Sequence, residues 1–212
     1  MSRGFLIGRL FGTDIYLSLG HVLLLTFFFL SGRDDPAAAA MWCLTIVVSI
    51  LVHEFGHVFA VKWWLKAEST VILSTLGGLC LHPRTQRPGQ QIGISLMGPA
   101  FGFLLGALAF VLWQFELPPF AKRLAEFFVW INIVWTALNL LPILPLDGGQ
   151  AMRALLEMSL PREKAFRVAR IMSLVLLAAG GALALALKEP FLILLCGLMF
   201  LENLGRRTIT YH

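Results

Sequence analysis

Two histidines and a glutamate stand together in an otherwise apolar stretch of the chain. His53, Glu54 and His57, in the order His-Glu-Phe-Gly-His, are the strongly ionisable residues between Ala37 and Val61. Residues four apart share one face of an α-helix, because the helix turns once per 3.6 residues. Two imidazoles on one face can bind a zinc ion, and the intervening carboxylate can act as a base toward water. The alternative is that these are ordinary polar residues whose hydrogen bonds are satisfied by neighbouring helices.

The apolar surroundings of this motif favour a functional site. Ionisable side chains inside a segment long enough to cross a bilayer are energetically costly, and they commonly mark functional sites. The segment ends at Lys62-Trp63-Trp64-Leu65-Lys66, and Trp residues flanked by Lys are typical of a membrane interface. His57 precedes Lys62 by five residues, which places the motif roughly 8–13 Å below that interface. The sequence therefore predicts a buried metal site close to one side of a membrane.

The composition indicates a protein with several membrane spans. Of its 212 residues, 58% are hydrophobic and 14% are charged, whereas soluble globular proteins carry about 25% charged residues. We predict one transmembrane domain over residues 1–212, with no separate soluble or regulatory domain. The net charge of +5 is better explained by membrane orientation than by nucleic-acid binding, since no basic patch with interleaved aromatic residues is present.

The hydropathy pattern predicts an all-α polytopic membrane protein of about six transmembrane helices. The basic residues 1–14 are expected to lie along the membrane surface. The predicted spans cover residues 15–30, 37–61, 91–113, 121–141, 171–187 and 191–204. His21 in the first span is either a functional residue or a hydrogen-bonded helix residue.

A short β-hairpin is predicted directly after the second span. Residues 69–82 combine β-branched side chains with Gly77-Gly78, a pattern that favours extended strands over a helix. A strand edge at membrane depth is tolerated only against protein or a water-filled cavity. Such an edge can hold an extended peptide by strand addition. The alternative is an interfacial loop.

A broken segment after the fourth span offers a third metal ligand. Pro142 and Pro145 cannot both lie inside a regular helix, and Asp147 follows them between apolar and glycine residues. A catalytic zinc site uses three protein ligands and keeps one position open. Asp147 is better placed for this role than the other acidic candidates on that side, which are Glu68, Glu157 and Glu202.

Asp147 also has a purely structural explanation. It is followed by Gly148-Gly149-Gln150, so it can be the N-cap of a helix over residues 151–158, with Gln150 in the third position. Capping and ligation are compatible, because a carboxylate has two oxygens.

The distribution of basic residues predicts the membrane orientation. If six spans alternate, one side of the membrane holds both termini and thirteen Lys and Arg residues, while the other side holds four. This positive-inside bias places both termini in the cytoplasm. The His motif and the broken segment both lie toward that side.

With these motifs, the chain resembles the site-2 protease family of intramembrane zinc metalloproteases. The resemblance rests on His53 to His57, on Gly98-Pro99-Ala100, and on Asn139-Leu-Leu-Pro142 followed by Leu146-Asp147-Gly148. It covers most of the chain, since the hairpin and the six-span layout are also similar. The chain departs from the family at Gly102, where an asparagine is often found.

The resemblance implies roles for individual residues. Zinc is expected to bind to His53, His57 and Asp147, with Glu54 as the general base. The residues expected to contact substrate are Leu76, Gly77, Gly78, Leu79, Asn139 and Pro142.

The implied function is hydrolysis of peptide bonds within or near the transmembrane segments of membrane-protein substrates, with release of cytoplasmic fragments. The expected location is the lipid bilayer of a bacterial-type cell membrane. One alternative is a non-catalytic membrane protein that binds a partner or a metal on the same fold; an intact Glu54 argues against it. Another is a zinc-dependent prenyl- or signal-peptide-processing enzyme, which would need a glutamate ligand in a later motif that this chain lacks.

Overall fold

A computed structural model describes residues 4–32, 34–75, 77–83 and 85–205 of the chain. Leu76, one of the predicted substrate-binding residues, lies outside them. The chain divides into two compact units, which are described separately. The first unit comprises Met1–Thr85 and Met97–Ala137, and the second comprises Gln86–Leu96 and Leu138–His212.

The first unit combines a small sheet with the helix that carries the histidines. Its elements are β1 (Phe5–Leu10), β2 (Thr13–Leu17), α1 (Leu19–Ser31), α2 (Pro36–Leu65), β3 (Thr70–Ser74) and β4 (Gly77–Leu81). Most residues of α3 (Pro88–Trp113) and α4 (Pro119–Asn139) also belong to it. The second unit contains α5 (Asp147–Leu156), α6 (Arg162–Leu187) and α7 (Pro190–Gly205).

The sheet packs one of its faces against α2. The strand order is β1-β2-β3-β4, in which β2 and β3 are parallel and the other two pairs are antiparallel. Alternate side chains of a strand point to the same face. Ile15, Val71 and Leu73 on this face form a buried cluster with Ile50 and Val58 of α2. Of the strands that the structure describes, β3 alone pairs with β4, which makes β4 an edge strand.

The predicted hairpin at residues 69–82 is confirmed. β3 and β4 pair in antiparallel fashion, with Ser74 opposite Gly77. Gly77 has a φ of +123°, a backbone conformation that favours glycine. A Cβ atom at this position would also lie about 2.5 Å from the ring of Trp135 in α4. The glycine therefore allows the hairpin to turn close to a helix.

The predicted start of the first span is wrong, because the first helix begins at Leu19 rather than at Ile15. Strands β1 and β2 precede it, and the expected position of residues 1–14 along the membrane surface stays a prediction. Phe11 and Gly12, both with positive φ, form the turn between the two strands. The boundary is hidden in the sequence, because Ile15 and Leu17 of β2 continue directly into the apolar run of α1.

His21 of α1 acts as a hydrogen-bonded residue within the fold. Its side chain is fully buried, and its Nδ1 donates to the carbonyl oxygen of Ser74 at 2.9 Å. This hydrogen bond connects α1 to the end of β3. It supports the interpretation of His21 as a hydrogen-bonded helix residue rather than a functional one.

The second predicted span is confirmed as α2. Pro36 occupies the first turn of the helix, and the side chain of Asp35 caps it by accepting a hydrogen bond from the N–H of Ala38. The helix ends at Leu65, and the backbone of the C-cap residue Lys66 is left-handed. Trp63 is largely exposed near that end, as expected for a residue at a membrane interface.

Three helices of the described chain, α2, α3 and α6, are long and apolar enough to cross a membrane. α1 and residues Leu192–Gly205 of α7 are apolar but shorter. α4 lies where the fourth span was predicted, but it carries Lys122, Arg123 and Glu126 and is not one of the three. These helices agree with an integral membrane protein, whereas the predicted number of six spans is not confirmed.

The predicted break after the fourth span is confirmed in the second unit. α4 ends at Asn139 and α5 begins at Asp147. Midway between them, the buried N–H of Leu144 donates to Oγ of Ser173 at 2.8 Å, and its carbonyl accepts from Nδ2 of Asn203. Buried main-chain groups outside a helix need such partners. Side chains from α6 and α7 therefore support the broken segment.

The capping explanation for Asp147 is wrong. The N-cap of α5 is Leu146, and Asp147 is the first residue of the helix, four residues earlier than the predicted start. The N–H of Gln150 donates to the carbonyl of Leu146, which closes the first turn. The helix can start here because Gly149 packs against the main chain of Ile143 without a side chain between them.

Candidate functional site

The three residues of the His motif lie side by side on α2. His53, Glu54 and His57 are all buried, and one ligand atom from each lies within 4.8 Å of the others. The Nε2 atoms of the two imidazoles are 3.3 Å apart. The two histidines therefore share one helical face, as their spacing predicts.

The separation of the two imidazoles fits one zinc ion. Two nitrogens bound to zinc at about 2.0–2.1 Å in tetrahedral geometry are about 3.3–3.4 Å apart. The observed distance of 3.3 Å between the Nε2 atoms lies in this range. Imidazole nitrogens and carboxylate oxygens are also ligands that zinc accepts. The cluster can therefore hold a zinc ion.

α3 places its main chain directly against this cluster. A Cβ atom on Gly98 would overlap the ring of His57 and lie 2.8 Å from Nε2 of His53. On α2, a Cβ atom on Gly56 would overlap the carbonyl of Met97. The small residues of α3 thus allow close helix approach. One wall of the site consists of backbone.

The side chain of Glu54 faces the edge strand β4. A Cβ atom on Gly78 would overlap the carboxyl group of Glu54, so that group lies against the main chain of the strand. Leu79 next to it is 41% exposed. The sequence predicted a hairpin that binds a peptide, but it did not indicate that the hairpin touches the glutamate.

Asn132 of α4 is a buried polar residue that the sequence analysis did not identify. It is 1% exposed, and its Nδ2 donates to Oγ of Ser49 at 2.9 Å and to the carbonyl of Phe128 at 2.8 Å. Ser49 lies one helical turn before His53 on α2. An asparagine within an apolar run could have been recognised in the sequence as a candidate buried polar residue. Its contact with Ser49 could not, because Ser49 lies on a helix that is distant in the sequence.

The remaining predicted site residues lie in the second unit. Asn139 is the last residue of α4 and is buried, Pro142 lies in the broken segment, and Asp147 begins α5. The possible metal-binding cluster found among the described residues comprises the two histidines and the glutamate of α2. The third ligand and the substrate-contacting roles therefore stay predictions.

The sequence matches known proteases. Residues 118–183, which include the broken segment and Asp147, match Peptidase family M50. A zinc metalloprotease from Methanocaldococcus jannaschii is 26% identical over 179 residues, covering 81% of this chain and 52% of the relative. Stage IV sporulation protein FB from Bacillus subtilis is 30% identical over 131 residues, covering 61% and 44% respectively. The chain thus spans about half the length of these relatives.

The fold also matches a solved structure. The site-2 protease from Methanocaldococcus jannaschii superposes with a TM-score of 0.76 at 22% identity, covering 98% of this chain and 97% of that one. The chain therefore has the fold of a site-2 protease. The predicted resemblance is therefore confirmed. The M50 match and the similarity to a zinc metalloprotease agree with the predicted enzyme class and cofactor.

Proposed function

We propose that the chain is an intramembrane zinc metalloprotease that cleaves membrane proteins within or near their transmembrane segments. The observation that carries the proposal is the position of Glu54. Its buried carboxyl group lies beside two imidazoles on one side and against the edge strand β4 on the other. A base between a metal site and a strand edge is suited to hydrolysis of an extended peptide.

The proposed zinc ligands are Nε2 of His53, Nε2 of His57 and the carboxylate of Asp147. The two histidines are supported by their separation of 3.3 Å. Asp147 is supported by its sequence motif, which the chain shares with the site-2 protease family. When bound, zinc supplies a Lewis acid that polarises the scissile carbonyl and makes water more acidic.

Glu54 moves the protons of the reaction. Its carboxylate accepts a proton from the attacking water, and the resulting carboxylic acid donates a proton to the leaving amine nitrogen. A glutamine at this position would have a similar size but could not accept the proton. Glu54→Gln therefore separates the chemical step from metal binding.

β4 holds the substrate in an extended conformation. The carbonyl groups of a transmembrane helix are engaged in intrahelical hydrogen bonds, so the substrate must unwind before attack. Strand addition to β4 replaces those hydrogen bonds and brings the peptide next to Glu54. The residues that we propose to contact substrate are Leu76, Gly77, Gly78, Leu79, Asn139 and Pro142.

The direction of product release follows from the charge distribution. With both termini in the cytoplasm, as the excess of Lys and Arg on that side supports, the His motif lies near the cytoplasmic surface. Cleavage there releases a cytoplasmic fragment from a protein of a bacterial-type cell membrane.

Cleavage in liposomes tests this proposal. Wild type, Glu54→Gln and Asp147→Ala are reconstituted with single-span proteins whose spans contain helix-destabilising Gly and Pro. Glu54→Gln is expected to keep stoichiometric zinc and lose cleavage, whereas Asp147→Ala loses much of both. Cleavage that survives Glu54→Gln contradicts the protease function, and wild type without stoichiometric zinc contradicts the metal site. Zinc binding without any cleavage by wild type favours the non-catalytic alternative.

A further inference from the structure

Three polar atoms from two helices surround the position of Gly102 in α3. A Cβ atom on this glycine would lie 3.0 Å from Oγ1 of Thr136, 3.7 Å from Oδ1 of Asn132 and 3.7 Å from Nδ1 of His53. α3 contributes no side chain at this position, so the polar groups of Thr136 and Asn132 in α4 lie near the Nδ1 side of the His53 ring.

The orientation of the Asn132 amide is determined by its partners. The carbonyl oxygen of Phe128 can only accept a hydrogen bond, so the atom 2.8 Å away from it is the NH2 group. The same nitrogen donates to Oγ of Ser49. Both hydrogens of the amide are thereby used. Its Oδ1 is the remaining acceptor, and it is buried with no hydrogen-bond donor among the described residues.

Ser49 shows which part of α2 this amide faces. Ser49 and His53 are four residues apart, so they lie on the same face of the helix. Asn132 is anchored to Ser49 one turn before His53, which places its amide beside the part of α2 that carries this imidazole. The distances around Gly102 agree with this placement.

The chemistry of a metal-bound histidine supplies the missing donor. A neutral imidazole that binds a metal through Nε2 carries its hydrogen on Nδ1 and donates it to a nearby acceptor. We propose that Asn132 is a positioning residue whose Oδ1 accepts a hydrogen bond from Nδ1–H of His53. This fixes the tautomer and the ring orientation in which Nε2 faces the metal. The inference rests on the zinc site of the proposed function.

Zinc affinity of purified full-length protein in detergent tests the role of Asn132. Asn132→Leu removes the acceptor with little change in size, and we expect zinc to bind about 10–100-fold more weakly in competition with a chelator. Asn132→Asp keeps an acceptor oxygen and is expected to restore most of the affinity. Ser49→Ala is the matched control, because it disrupts the same buried network while the carbonyl of Phe128 still holds the NH2 group and the acceptor remains; it should reduce thermal stability but change zinc affinity less than about threefold.

Cobalt substitution gives a second readout that stability alone would not change. The visible absorption of bound Co2+ reports the geometry of its ligands, and we expect Asn132→Leu to alter it while Ser49→Ala does not. If Asn132→Leu fails to fold, two glycine substitutions test the same role. Gly102→Ala places a methyl group among the three polar atoms, whereas Gly197→Ala in α7 places one where no atom lies within 4 Å. Only the first should weaken zinc binding.

The outcomes separate this inference from the proposed function. If wild type binds zinc and Asn132→Leu binds it equally tightly, the positioning role is wrong and the metal site stands. Equal losses of zinc affinity in Asn132→Leu and Ser49→Ala also overturn the positioning role, because disturbed packing would then explain both losses. If wild type binds no zinc, the metal site itself fails.

Discussion

The carboxyl group of Glu54 lies directly against Cα of Gly78, with no side chain between the helix and the edge strand. The glutamate and the strand are therefore in fixed register: a peptide paired with β4 would have a defined residue opposite this carboxylate. In the proposed function, the position of Gly78 links binding of an extended chain to the place where a proton is transferred.

Substitution of Gly78 should impair cleavage more than it impairs zinc binding. A methyl group in Gly78→Ala overlaps the carboxyl group of Glu54 and displaces it, and a displacement of about 1 Å can reduce the rate about 100-fold. The measurements are cleavage rate and zinc content in liposomes. Gly8→Ala in β1 is the control, because a Cβ atom there meets no atom within 4 Å. Wild-type cleavage by Gly78→Ala would contradict the contact.

Substitution of Gly98 should act on the metal instead. A methyl group in Gly98→Ala overlaps the ring of His57 and crowds Nε2 of His53, so we expect zinc affinity to fall at least about tenfold. Gly180→Ala in α6 adds a methyl group in ordinary contact with Cys196 and should leave zinc binding unchanged. Unaltered affinity in Gly98→Ala would show that α3 does not form a wall of the site.

Acid should weaken the junction between α2 and α4. The pKa of Asp35 is held below its ordinary value by the N–H of Ala38, and also by Arg123, whose guanidinium lies 2.9 Å away. Because the folded pKa is lower, this stabilisation is present above the unfolded value of about 3.9 and is lost as pH falls through the folded value. Wild type should melt at a higher temperature than Asp35→Ala at pH 7, and the difference should narrow below pH of about 4. A difference that does not change with pH would rule out this contribution of the charge.

Removal of Asn203 should destabilise the second unit. Asn203→Leu leaves the buried carbonyl of Leu144 without its donor, at a cost of about 1–3 kcal/mol in the free energy of unfolding. Thermal unfolding in detergent measures the loss. Leu201→Ala serves as control, since Leu201 of the same helix is 64% exposed. Equal melting temperatures for Asn203→Leu and wild type would contradict this support for the broken segment.

The sequence predicts those parts of the fold that depend on local pattern. Helix α2, the hairpin of β3 and β4, and the break before Asp147 each follow from the spacing of apolar residues, glycines and prolines along a short stretch. The shared face of the two histidines follows in the same way from the geometry of a helix.

The features that the sequence did not predict depend on contacts between distant segments. β2 pairs with β3 across more than fifty residues, and nothing near Ile15 signals that partner. Asn132 finds Ser49 on a different helix. The start of α5 depends on how closely Gly149 packs on Ile143, which a capping pattern does not encode.

The contact between Gly56 of α2 and the main chain at Met97 of α3 has a mechanical consequence. Side chains at a helix interface can change rotamer and let the helices slide, but a contact of backbone on backbone has no such freedom. At the level of the histidines, α2 and α3 are therefore expected to move together. In the proposed function, a peptide would reach this site by displacement of other elements, while the two imidazoles keep their spacing.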